Sequence, residues 1–400
     1  MKLKIKEDFC FKLIIWSIFI FNYAIREKFI PVIKDFNILF FLALFLLILK
    51  NKKNISIKSV FGILILLIYC IFVNYVTGSR INNVVYFIIN TIMPLLLLAI
   101  KEKNNNKSLN IELIRKIVNC YNLFIIIFFV IFLLDFITGN LASNFLASNF
   151  TLYNTGWIGT SIINNRYHFF FAHPLTSSAI VMVYYLLNII CNKYKIKTNT
   201  SYWIFHIISF SLMLSFGSKT AIIIFIILFY IYNFTYKKIV GGIIIFLTTY
   251  FTGSFDYIIN RFLNDKSLTS GRNEALSKII PNFIDIKSIF TGKGENLQYI
   301  ITNQIGLLES GASQEYPIIV YFLRYGLIFT IILLNYLLFN PIKECISTKN
   351  YFLIIPIIAI FTELSMYNGL TSLVEVEILY VMFLMIIRII NSLNKDVITI

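Results

Sequence analysis

The chain has 400 residues, 58% of them hydrophobic and 14% charged, with a formal net charge of +16. That balance excludes an ordinary soluble domain: apolar runs of about 20 residues recur along the whole length, each able to cross a hydrocarbon core of about 30 Å. The runs are continuous rather than alternating, which excludes a membrane β-barrel.

Twelve spans are expected, at 9–25, 32–49, 60–77, 82–100, 117–138, 169–191, 201–216, 219–236, 239–254, 316–340, 351–368 and 373–390. With the N-terminus inside, and with bases near span ends counted with the adjoining segment, the seven cytoplasmic segments hold 21 of the 35 Lys and Arg. The five short outer loops hold six: Arg26, Lys28, Lys34, Arg80, Arg166 and Lys219. This is the positive-inside pattern. It places both termini in the cytoplasm and one large loop outside, and it explains the basic charge without nucleic acid. The expected fold is an all-α polytopic membrane protein, residues 1–400 forming a single integral membrane domain with the 255–315 loop packed on it. M-K-L-K-I-K at the start lacks a small-x-small cleavage site, so the first span is read as uncleaved. The five Cys (10, 70, 120, 191 and 345) avoid the large loop and read as apolar fillers.

In chain order, spans one to four carry little chemistry; Pro94 is expected to kink the fourth. Asp135 ends the fifth and reads as interfacial. A tandem L-A-S-N-F (141–145 and 146–150) follows and is too short for a structural repeat. N-N-R-Y-H-F-F-F-A-H-P-L (164–175) then puts Arg166 at the membrane edge and His173-Pro174 at the start of span six. Spans seven and eight meet in L-S-F-G-S-K-T-A (214–221), where Gly217 permits a tight bend and Ser218 can cap the next helix. Lys219 at a helix N-terminus is locally unfavourable. It suits either a bound anion or a lysine snorkelling to the interface.

The polar stretch Phe255–Glu315 holds seven acids and six bases. A helix is expected from Ser270 to Ile280, stopped by Pro281, with Arg272, Ala275, Leu276 and Ile279 on one face. That puts Arg272 on the packed side at the electrostatically wrong end, which argues for a functional cation. G-K-G (292–294) reads as a turn. Leu297, Ile300, Ile301, Ile305 and Leu308 follow helical spacing after it. In span ten, Arg324 lies within the apolar run and needs a partner or a wet cavity. Glu363, Glu375 and Glu377 are its candidate partners, and a packing role and a substrate role both stay open. No metal cluster, Ser-His-Asp set or nucleotide motif stands out. The outer cations suit a phosphorylated or pyrophosphorylated substrate, and Glu315 could act as a general base on a hydroxyl.

Four segments carry a family resemblance: N-N-R-Y-H-F-F-F-A-H-P, L-S-F-G-S-K-T-A, T-S-G-R-N-E-A-L and E-Y-P-I-I-V-Y-F-L-R-Y-G-L. In their order, and with a large outer loop between spans nine and ten, the chain resembles the O-antigen polymerase and ligase superfamily. Two departures stand out: Lys219 replaces the usual Arg, and Glu315 stands where ligases place a His. The second favours a polymerase over a ligase. The resemblance implies a C-type glycosyltransferase fold in a bacterial plasma membrane, with the large loop on the extracytoplasmic side. It implies undecaprenyl-pyrophosphate-linked oligosaccharide as substrate, a chain-length regulator as a partner, and neither cofactor nor metal. Under it, Arg272, Arg166, Lys219 and Arg324 would bind pyrophosphate, Glu315 would serve the acceptor hydroxyl and His173 would support them. An O-antigen ligase, or a polysaccharide flippase or exporter, is the competing expectation.

Overall fold

Among residues 6–101, 107–150, 167, 171, 174–232, 240, 272–283, 286–297, 299–301, 316–372 and 374–393, which the computed structural model describes, the regular elements are helical. The one extended pairing there is an isolated bridge between Ile55 and Ile100. In chain order come α1 (Glu7–Phe19), α2 (Tyr23–Phe29), α3 (Ile38–Lys50), α4 (Ile57–Thr77), α5 (Ile81–Ala99) and α6 (Lys107–Thr138). They are followed by α7 (Leu141–Asn149), α8 (Pro174–Lys193), α9 (Tyr202–Phe216) and α10 (Lys219–Tyr232). After them stand α11 (Arg272–Phe283), α12 (Ile286–Thr291), α13 (Pro317–Leu334), α14 (Asn340–Ser347), α15 (Ile354–Ser365) and α16 (Val374–Ser392).

Among the described residues, five helical stretches are long and apolar enough to cross a membrane: α4, α5, α6, α8 and Pro317–Ser347. A sixth is added if α1 and α2, bent by 73° at their junction, form one span. Helices α3, α9, α10 and the Tyr351–Ser365 stretch are apolar but shorter. The expected ninth span at 239–254 lies, apart from Val240, outside the described residues. Helix α4 shows why these sequences need lipid. Its inner face buries Ile63, Leu66, Cys70 and Val73, while Phe61, Ile68, Phe72 and Tyr75 stay exposed. A helix that is apolar on its outward face as well finds its solvent in hydrocarbon.

The chain forms two compact units, Met1–Ile117 with Gly271–Ile400, and Val118–Ser270. The axis of the first is α16, buried along nearly its whole length. Glu375 and Glu377 occupy its first turn, where the helix dipole favours acids. Near its other end, Arg388 grips both Glu344 carboxylate oxygens at 2.9 and 3.0 Å and donates to the Leu98 carbonyl at 2.8 Å. At the start of α16, the fully buried Arg26 donates to Glu375 Oε1 at 2.5 Å. It also donates to the Phe21 and Lys34 carbonyls at 2.6 Å each, so one guanidinium ties the α1–α2 bend to α16.

The second unit is built around α8, which is buried from Thr176 to Cys191. Asn122 and Asn188 exchange side-chain hydrogen bonds at 3.0 and 2.9 Å inside it. Asp135, read as interfacial, is 2% exposed. Its carboxylate accepts from the Ala142 amide at 2.6 Å and from the Ser143 hydroxyl at 2.8 Å. The doubled L-A-S-N-F folds into the single helix α7, and Asp135 caps its N-terminus from the preceding helix. An acid six residues upstream of a new helix is drawn inward because the orphan amides there need an acceptor.

Candidate functional site

In the first unit, two helix irregularities and one inserted turn build a polar site. The first irregularity comes from Pro94. Its ring clashes with the carbonyl four residues back, that of Asn90. The helix accommodates this by widening to π geometry over Ile88–Ile92 and tightening to a 3₁₀ turn over Met93–Leu95. The expected kink is therefore a π-bulge, a device common at functional sites. Asn90 and Thr91 sit in it.

The second irregularity is at Gly326, whose φ of 79° and ψ of −179° break α13. Only glycine is at ease in that region, and a Cβ there would overlap the Phe290 carbonyl oxygen. Helix α12 thus ends against the break. The G-K-G turn follows, with left-handed φ at Gly292 (66°) and Gly294 (64°). A side chain at Gly292 would strike the Arg324 backbone. The Lys293 amide donates to the Leu323 carbonyl at 2.9 Å, satisfying a group that the break leaves open. On the other side the Glu295 amide donates to Asn74 Oδ1 at 2.9 Å, and Asn296 Nδ2 donates to the Thr77 carbonyl at 2.9 Å. The turn is thereby pinned between α4 and α13.

This insertion sets the partner of Arg324. Its Nη1 lies 3.1 Å from Glu295 Oε2, and Tyr325 donates its hydroxyl to Glu295 Oε1 at 2.6 Å. The side chains of Arg324 and Glu295 are 11% and 9% exposed. None of the three expected acids is the partner. Glu375 is taken by Arg26, and the acid that serves comes from the polar loop.

At the pair lies a cavity of ≈ 190 Å³, lined among others by Asn83, Tyr86, Phe87, Asn90, Glu295, Arg324 and Glu377. Asn83 is exposed and marks its mouth. Asn90 is 6% and Glu377 1% exposed. Both amide atoms of Asn90, both carboxylate oxygens of Glu377 and Nε of Arg324 are buried without a hydrogen-bond partner among the described residues. Buried polar groups in native proteins are nearly always paired, so five open atoms around one cavity are a concentration of unmet hydrogen bonding. Among the described residues no three His, Cys, Asp or Glu gather closely enough to hold a metal ion.

Of the pattern expected for the loop, Ser270, Ile305, Leu308 and the side chains of Arg272 and Ala275 lie outside the described residues. Ile279, Leu297 and Ile301 are buried together with Leu323 of α13, as their helical spacing requires. Pro281 does not stop α11, which runs to Phe283. A proline in a last turn forfeits its own hydrogen bond, while the next residues still donate theirs. Arg272 is the first residue of α11.

In the second unit, α9 ends at Gly217 with a left-handed φ of 60°, and Ser218 Oγ accepts from the Ala221 amide at 3.3 Å, the expected cap. Lys219 is the first residue of α10. The amide of Tyr167, next to Arg166, donates to the Ser215 carbonyl at 3.0 Å, so the chain at 167 passes the turn that carries Lys219. Arg166, His173, Glu315 and the side chain of Arg272 lie outside the described residues.

Sequence reasoning missed Glu295, Glu377 as a cavity acid, and Asn90. The signals were present in part: Glu295 directly follows the G-K-G turn, and Asn90 stands four residues before a proline inside an apolar run. Compared with known proteins, the chain matches no family model, no curated protein and no solved structure.

Proposed function

We propose that this protein polymerises lipid-linked oligosaccharide repeat units of a surface polysaccharide in a bacterial plasma membrane, with the large loop on the extracytoplasmic side. One observation carries the reading: a segment of the polar loop, Ile286–Asn296, is inserted between two apolar helices and helps to line a buried polar cavity. An enzyme acting on a water-soluble glycan tethered to a membrane lipid needs such a compartment. The four motif segments and their order support the same reading.

In this reading Arg272, Arg166 and Lys219 bind the pyrophosphate of the lipid carrier, and His173 supports them. Glu315 takes the proton of the acceptor hydroxyl as its oxygen attacks the anomeric carbon of the growing glycan. The bond from that carbon to pyrophosphate breaks, and undecaprenyl pyrophosphate leaves with its charge stabilised by the cations. Arg324 reaches a pyrophosphate only by releasing Glu295, so its share is the smallest of the four bases.

The test is Arg272→Ala in cells that make the glycan. The expected product is single repeat units, with the variant present in the membrane at wild-type level. Long-chain glycan of normal length from that variant overturns the reading.

A further inference from the structure

We infer that Glu377 and Asn90 form a binding site for a sugar ring, with the Glu377 carboxylate holding two neighbouring hydroxyls. This deepens the reading above and rests on it for one point only, that the sugar belongs to the lipid-linked substrate. The chemistry of the site is argued from the cavity.

Among the described residues, the acidic and basic side chains that line it are Glu295, Arg324 and Glu377. The one base there is already held by Glu295 at 3.1 Å, so the cavity offers no free cation to a phosphate or pyrophosphate group. A lone cation would suit Glu377, but it would face the open amide N–H of Asn90 and share the space with a guanidinium. Arg324 Nε–H and the Asn90 amide N–H need acceptors, Asn90 Oδ1 needs a donor, and both Glu377 carboxyl oxygens need partners. A hydroxyl is the common ligand group that does both.

Two hydroxyls on adjacent carbons match the two oxygens of one carboxylate, as a guanidinium fork does. Phe87 and the ring of Tyr86 line the same cavity and offer apolar surface to the C–H face of a sugar. The volume fits as well: ≈ 190 Å³ is room for about six waters at liquid density, the scale of a single ring rather than an oligosaccharide. Exposed Asn83 opens it to the outside. The site would thus grip one residue of the repeat unit.

The experiment uses the full chain in lipid nanodiscs. The probes are methyl α-D-glucopyranoside, methyl α-D-galactopyranoside and methyl α-D-mannopyranoside, followed by saturation-transfer NMR. At least one of them is expected to bind. The analogue lacking one hydroxyl of the gripped pair is expected to bind about 10- to 100-fold more weakly, the worth of one charge-assisted hydrogen bond. That comparison needs no variant. Glu377→Gln and Asn90→Leu, checked for wild-type elution and unfolding temperature, are expected to lose the signal, and Glu377→Asp to keep part of it.

Three results overturn the inference: no glycoside binds the wild type, the binding is unchanged in Glu377→Gln, or sodium chloride but not choline chloride stabilises the fold while glycosides do nothing. The last would mark a cation site. Elongation of lipid-linked units by the same preparations separates the two levels. Glycoside binding without elongation removes the polymerase reading and leaves the site. Elongation without glycoside binding does the reverse.

Discussion

Cutting the Glu295 carboxylate away tests how the loop is held to the membrane helices. The perturbation is Glu295→Ala, alone and combined with Arg324→Leu. Both side chains are about one-tenth exposed, so solvent screens the pair little. Removing one partner of a buried pair strands the other charge and costs about 3–5 kcal/mol; with one edge still reached by solvent, the lower end applies. Tyr325 also loses its acceptor at 2.6 Å, adding about 1 kcal/mol. Glu295→Ala should therefore destabilise the protein by about 4 kcal/mol, and Arg324→Leu by about 3 kcal/mol. The double variant should cost much less than the sum, giving a coupling of at least about 2 kcal/mol. The assay is unfolding by dodecyl sulfate in mixed micelles, followed by circular dichroism for all four proteins. A coupling below about 0.5 kcal/mol, the range of an exposed pair, would refute the reasoning.

Further outcomes follow from the backbone and the caps. Gly326→Ala should cost about 1–3 kcal/mol from backbone strain alone, and the added methyl, meeting the Phe290 carbonyl of α12, should also push that helix off its seat on α13. Faster amide exchange over 286–296 is the expected readout, and unchanged exchange there contradicts the docking. Asp135→Ala should cost about 1–2 kcal/mol by uncapping α7, seen as lost protection at 141–149. Equal protection in both proteins would mean that the Asp135 contacts do not hold that helix. Pro94→Ala should restore a regular helix through Asn90 and turn its amide from the cavity, so the glycoside signal should fall with little change in unfolding temperature. A signal equal to wild type would detach the bulge from the site.

The sequence revealed much of the scaffold, because the scaffold follows from local rules. The turn at Gly217 and the cap by Ser218 depend on a few adjacent residues. The burial of Ile279, Leu297 and Ile301 follows from spacing on short helices. The G-K-G turn needs only glycines that accept left-handed backbone. What stayed hidden depends on distant parts of the chain meeting. Arg324 advertised a need for an anion, but the choice of Glu295 over Glu375 or Glu377 is made by the break at Gly326 and by the turn that enters it. Asn90 is a polar residue in an apolar stretch, and it is the bulge before Pro94 that places it on the cavity. The burial of Asp135 stayed hidden because α7 could not be foreseen folding back onto it. In each case the side chain announced its chemistry, and a backbone irregularity elsewhere decided where that chemistry went.

The central claim, that the protein lengthens lipid-linked glycans, is tested most directly by reconstitution. Purified protein in vesicles with undecaprenyl-pyrophosphate-linked repeat units and no transmembrane gradient should yield a ladder of longer lipid-linked products, and Arg272→Ala should yield none. Movement of the units across the bilayer with no change in their length would contradict the claim and identify an exporter instead.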